Sequence, residues 1–184
     1  EILKKNKVNV INKIYLSKKK ENLIRSWAEN YNQSKNLKKF LYVENNKKIN
    51  LGISVESSLL SIYKNYNFKK NVNIIRKSLV SSAIVFNRSV EIIKKIKPSA
   101  VITFNNRFSI SRPIIEAAKF CEVKVIRHEV GSSEKKYELF YEDVHDIKSR
   151  CRSIYSYWKN TKKASRMKNS NKFFSMPYKK TKKI

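Results

Sequence analysis

Glycine is almost missing from this chain: there are two, Gly52 and Gly131, in 184 residues. Two isolated glycines cannot form a phosphate-cradling GxGxxG or P-loop segment, so the usual dinucleotide and ATP signatures are excluded. Cysteine is equally scarce. Cys121 and Cys151 fall in different expected elements without CxxC or zinc-type spacing, and both read as reduced thiols. No apolar run approaches the ~20 residues needed to cross a bilayer. The opening EILKKNKVNV has too short an apolar stretch, broken by Lys and Asn, to read as a signal peptide. The cytoplasm is therefore the expected compartment. A start at Glu1 rather than Met is expected of a piece of a longer product.

Acidic residues are the third shortage. Asp and Glu number 14 against 42 Lys and Arg, for a net charge of +28. Such a surface attracts phosphate-rich polymers and anionic membranes alike. The excess is mostly scattered lysine accompanied by abundant Asn and Ile, which an AT-rich genome also produces through AAA, AAT and ATA codons. Charge thus supports polyanion contact without naming a function. After Asp146 no acidic residue remains, and thirteen Lys or Arg follow. Residues 161–184 therefore read as a loose basic tail or linker.

What is present is a core. Hydrophobic residues make up 41% of the chain, enough for one folded domain over residues 1–160. Leu23, Ile24, Trp27 and Tyr31 recur at helical spacing within Leu16 to Tyr31, with Ser17 as N-cap. FLYV, ending at Val43, is β-prone. Gly52 breaks the chain, and Val55, Leu59, Ile62 and Tyr63 or Tyr66 form the next helical stripe. From Asn73 to Lys97 the spacing of Ile75, Leu79, Ala83, Phe86, Val90, Ile93 and Ile96 predicts the longest helix, which Pro98 terminates.

AVITF, Ala100 to Phe104, and VKVI, Val123 to Ile126, are short uninterrupted apolar runs, as expected for strands covered on both faces. Between them Pro113 starts a compact apolar helix containing Ile114, Ile115, Ala117, Ala118 and Phe120. This strand–helix–strand unit predicts parallel strands with a right-handed crossover. Val144 to Trp158 again reads as helix, with Ile147, Cys151, Ile154, Tyr155 and Trp158 on one side. The expected class is α/β, with a Rossmann-like parallel sheet and flanking helices.

In such sheets ligands bind beyond the carboxyl ends of the strands. Asn105 to Arg107 leave one strand and Arg127 to Glu129 leave the other, so both segments are expected to feed one cleft. Arg107 and Arg112 suit phosphate or carboxylate through paired N–H donors. Asn105 can orient a hydroxyl-rich ligand, and His128 or Glu129 can take a proton from an attacking hydroxyl. Gly131 lets the following loop turn tightly beside Ser132.

Structural alternatives stand beside each role. Arg112 can salt-bridge a helix start, and Asn105-Asn106 can be a turn that satisfies its own backbone. The His128-Glu129 pair can be structural, and Asp146 beside His145 can serve the positive end of a helix. The spacing of His128, Glu129, His145 and Asp146 matches no metal-ligand pattern.

The set FNNRFSISRPIIEAAKF, VIRHEVGSSEKKYELF, VHDI and IYSYW resembles a segment of bacterial glycosyltransferases that assemble capsule and lipopolysaccharide, with the two-Rossmann-domain (GT-B) architecture. It covers Pro98 to Trp158, and NLGISVESSLLSIY is similar to an earlier stretch of such proteins. Three positions depart from the pattern: Asn106 stands for a glycine, Val130 for an arginine and Val144 for a proline.

The resemblance implies an N-terminal, acceptor-side domain that transfers a sugar from a nucleotide-sugar donor to a surface-polysaccharide or lipid-linked acceptor, with the second domain binding most of the donor. Glu129 or His128 would be the base. Asn105, Arg107, Arg112, Gly131, Ser132 and His145 would bind substrate. No tightly held cofactor or metal is implied, and the basic surface suits peripheral contact with an anionic inner membrane face.

The other reading is a non-enzymatic, basic nucleic-acid-binding protein, supported by charge and by ten Tyr and nine Phe that can stack on bases. Against it, no RNP, KH or zinc-finger signature is present, and the aromatics mostly fall on expected core faces. A third possibility is a scaffold whose catalytic residues have decayed.

Overall fold

The computed structural model describes residues 15–130, 137–142 and 146–174, in two compact units, Glu1–Tyr141 and Glu142–Ile184. The described residues form a mixed α/β protein with six helices and two small sheets.

Helix α1 (Lys18–Glu29) begins where the Ser17 hydroxyl accepts from the Lys20 N–H, as expected of an N-cap. Its Ile24 and Ala28 are buried, while Leu23 faces solvent. A short 3₁₀ turn at Leu37–Lys39 leads into β1 (Tyr42–Glu44), which pairs antiparallel with β2 (Lys47–Ile49). The two-residue link is Asn45-Asn46, with φ of 45° and 62°. Both residues adopt the left-handed region that a tight hairpin of this kind demands, and Asn tolerates it best after glycine. The hairpin was not expected from FLYV alone.

Gly52 opens α2 (Gly52–Tyr63). A Cβ there would lie 1.9 Å from the Leu37 carbonyl oxygen and 2.9 Å from that of Phe40. Only glycine lets this helix start against the preceding turn. Val55 and Leu59 are buried as the stripe predicts, but the helix ends at Tyr63 and leaves Ile62, Tyr63 and Tyr66 exposed.

Helix α3 (Val72–Ile96) is the spine of the first unit, about 37 Å long at 1.5 Å per residue. Asn71 caps its start through the Ile74 N–H, and Lys97 in the left-handed region closes its end just before Pro98. One half of its buried face, Ile75 and Leu79, packs with Tyr31, Leu37, Val55, Leu59 and Phe68. The other half, Ala83, Phe86, Val90 and Ile93, packs with Ile24, Tyr42, Leu51, Ala117 and Ala118. Ile96, the last member of the predicted stripe, is exposed.

After α3 come β3 (Ala100–Phe104), α4 (Ser111–Phe120), β4 (Lys124–Val130) and β5 (Tyr137–Phe140). β3 and β4 pair parallel in the register Ala100–Lys124 through Phe104–His128, as the strand–helix–strand reading requires. β5 adds an antiparallel neighbour to β4, so the three-stranded sheet is mixed rather than parallel throughout. This unexpected partner prolongs β4 to Val130. Arg127, His128 and Glu129 therefore lie within the strand, opposite Phe140, Leu139 and Glu138, instead of beyond its end.

The strands are also not covered on both faces. Side chains alternate along a strand, so Val101, Thr103, Val125 and Arg127 share the face that meets the helices, with Thr103 and Arg127 buried. The opposite face leaves Ile102 66% exposed, Phe104 45% and Leu139 54%. Apolar composition alone cannot distinguish a strand that is covered twice from one covered once.

The second unit holds α5 (Ile147–Asn160) and α6 (Lys163–Phe174). The expected loose tail is thus helical through Phe174. Residues 163–174 lack glycine and proline and include Ala164, Arg166, Met167 and Lys168, all good helix formers. The expected apolar side of α5 is present as a stripe but exposed at Ile147, Cys151, Ile154, Tyr155 and Trp158. Among the described residues, no helix is long and apolar enough to cross a membrane.

Candidate functional site

β3 ends at Phe104, and the chain turns at once through Asn105, whose φ is 56°. The Asn105 N–H donates to the His128 carbonyl at 3.0 Å, which carries the parallel ladder one step beyond β3. Its side-chain Oδ1 accepts from the N–H groups of Asn106 and Arg107 at 2.6 and 3.0 Å. Asn105 is therefore the self-satisfying turn that its sequence allowed.

Its other side-chain group reaches across the strand ends: Nδ2 donates to Glu129 Oε2 at 2.8 Å. The segments around Asn105 and Glu129, 24 residues apart in sequence, thus meet at one place. Beside them the Phe104 and His128 rings lie 5.2 Å apart. Alternation puts His128 on the open face with Phe104, and Glu129 on the other. The two candidate proton acceptors point to opposite sides of the strand.

Asn106 is buried, and its Oδ1 has no hydrogen-bond partner in the protein. The loop that follows is tied to α2 by the Ser109 N–H, which donates to Ser58 Oγ at 2.8 Å.

The arginines are arranged differently. Arg107 is exposed and lies over its neighbour Phe108, 4.7 Å from the ring centre. Arg112 Nε sits 2.8 Å from Glu116 Oε1, one turn along α4. That ion pair realises the structural reading of Arg112. Arg127, buried, donates from Nη1 to the Tyr141 carbonyl at 2.7 Å and so anchors the end of β5. Asp146 caps α5 by accepting from the Lys148 N–H and the Ser149 hydroxyl, and the Ser149 bonds hold its carboxyl below the usual range. Gly131, Ser132 and His145 lie outside the described residues. Among those described, no group of three or more His, Cys, Asp or Glu side chains is placed to hold a metal ion.

Two features were missed in the sequence. Glu138 stands directly opposite Glu129 in the β4–β5 register, bringing a second carboxylate alongside the first. Its signal was hidden because YELF was not read as a strand. Glu56 is buried 3% exposed in α2, within the apolar stretch GISVESSLL, where a lone carboxylate is itself a signal. Compared with family models, curated proteins and solved structures, the chain matches none of them.

Proposed function

We propose that the first unit is a Rossmann-like, acceptor-side domain of a GT-B glycosyltransferase, which passes a sugar from a nucleotide-sugar donor to a carbohydrate or lipid-linked acceptor in polysaccharide assembly. The observation that carries this reading is the Asn105–Glu129 hydrogen bond, which gathers the ends of two parallel strands into one polar edge. Glu129 is the base that takes the acceptor hydroxyl's proton as the new glycosidic bond forms and the nucleotide diphosphate leaves. Asn105 fixes its carboxylate, and exposed Arg107 offers its paired donors to phosphate or acidic sugar. His128, on the other face of β4 with Phe104, is turned away from Glu129 and takes no part in the proton transfer. Lysines over the rest of the surface suit a diphosphate-bearing acceptor at an anionic membrane.

The test is sugar transfer by this chain, and by any longer product of the same gene, across a panel of nucleotide sugars and a lipid diphosphate acceptor. Glu129→Gln keeps an oxygen for Asn105 but removes the base, and should lower kcat ~10²-fold or more. Arg107→Ala should chiefly raise the acceptor KM. A Gln variant as fast as the parent would remove Glu129 from the chemistry.

A second reading has one specific support. Tyr155, Tyr157 and Trp158 are exposed on the basic helix α5, contrary to the expectation that aromatics sit mostly on core faces. Exposed rings among Lys and Arg are what single-stranded nucleic acid stacks upon. Binding that weakens steeply with salt and is lost on Trp158→Ala, with no sugar transfer, would favour this reading.

A further inference from the structure

The apolar side chains of α5 fall on one arc. At 3.6 residues per turn, the spacing of Ile147, Cys151, Ile154, Tyr155 and Trp158 gathers them within about 100° of the helix surface. All five are exposed, Ile147 by 75% and Ile154 by 64%. The same geometry sets Lys148, Arg152 and Lys159 along one border of the arc and Arg150 along the other. From α6, the Arg166 guanidinium lies 3.9 Å from the centre of the Trp158 ring. A tryptophan held beside a cation suits the headgroup level of a bilayer. With 14 residues, α5 is about 21 Å long, too short to span a hydrocarbon core of ~30 Å but long enough to lie along its surface.

Charge and shape decide what covers this arc. A second copy pairing helix on helix would set cations against cations, since no acidic residue follows Asp146. Single-stranded nucleic acid would stack on Tyr155 and Trp158 but leave Ile147 and Ile154 in water. An anionic bilayer meets both demands: acyl chains take the isoleucines, and lipid phosphates take the bordering cations. We propose that α5 is an in-plane membrane-binding helix at the headgroup–acyl boundary of an anionic bilayer, with Ile147, Ile154 and Trp158 inserted and Lys148, Arg150, Arg152 and Lys159 among the phosphates. This assigns the contact to one element, beyond the general attraction of a lysine-rich surface, and does not rest on the transferase reading.

The experiment is co-sedimentation of the chain with vesicles of phosphatidylglycerol and phosphatidylcholine in equal parts, with phosphatidylcholine alone and oligouridine as comparisons. The mixed vesicles should bind the chain and the neutral ones should not. The double variant Ile147→Ser, Ile154→Ser keeps every charge and every ring, so it should weaken binding to the mixed vesicles by about tenfold or more and leave any oligouridine binding unchanged. A variant that binds the vesicles like the parent would mean adhesion by charge alone, and the proposal fails. Should the double variant lose its helix, fluorescence of the parent chain decides the matter. Lipid brominated in its acyl chains should quench Trp158, with Trp158→Phe as the blank for Trp27. An unquenched Trp158 on bound vesicles overturns insertion. Absence of vesicle binding also overturns it, and tight oligouridine binding in its place would give the helix to nucleic acid.

Discussion

The two faces of the β3–β4–β5 sheet come from the same short strands, yet only one is covered. On the inner side Val101 and Val125 pack against the cluster around Phe86 and Ala118, and even polar Thr103 and Arg127 are buried. On the outer side Ile102, Phe104, Leu139 and Tyr141 remain open. The second unit resembles the outer face: none of its described apolar side chains is buried. Stability in this chain should therefore reside in the helical side of the first unit, and the rest should tolerate change.

The largest expected effect tests the covered side. Phe86 is completely buried and meets Tyr42 and Phe120 edge-on, so Phe86→Ala should cost about 3–5 kcal/mol in urea unfolding of the chain. Gly52→Ala comes next. Its new Cβ would collide with backbone carbonyls of Leu37 and Phe40, which cannot swing aside as side chains do, and the loss should be about 1–3 kcal/mol.

The cap of α5 gives a smaller, pH-dependent effect. Because the folded Asp146 pKa lies below its unfolded value, its contribution is present above the usual carboxylate range and lost as pH falls through the folded value. Amide exchange in the first turn of α5 should accelerate on that acid side, and Asp146→Ala should abolish this acid dependence. The smallest effect belongs to the open face: Ile102→Ser should change unfolding free energy by no more than about 0.5 kcal/mol. A loss comparable with that of Phe86→Ala would mean that the outer face is covered after all.

The long helix was legible in the sequence to within a residue or so, because its core positions keep a 3.6-residue rhythm up to the stop at Pro98. The parallel pairing of β3 and β4 was legible for a similar reason, from two apolar runs flanking a short helix. β5 was not, since YELF is too short and too polar to declare itself before β4 supplies its ladder. The extension of β4 through Arg127–Glu129 depends on that same long-range pairing and was hidden with it.

At the candidate site the sequence placed Asn105 and Glu129 in one neighbourhood, where the structure joins them. It did not separate His128 from Glu129, because adjacent residues diverge only once the segment is known to be a strand. It also could not choose between ligand binding and an intrahelical partner for Arg112. Its Glu116 partner, at the (i, i+4) position, becomes visible only when the helix boundaries are fixed.

The most direct test of the central claim is amide chemical-shift mapping of the isotope-labelled chain with a soluble analogue of a diphosphate-linked sugar acceptor. Binding at the joined strand ends predicts shifts centred on Asn105–Arg107 and His128–Glu129, and their loss in Glu129→Gln. Shifts confined to α5 and α6, unchanged by that substitution, would contradict it and move the functional surface to the basic second unit.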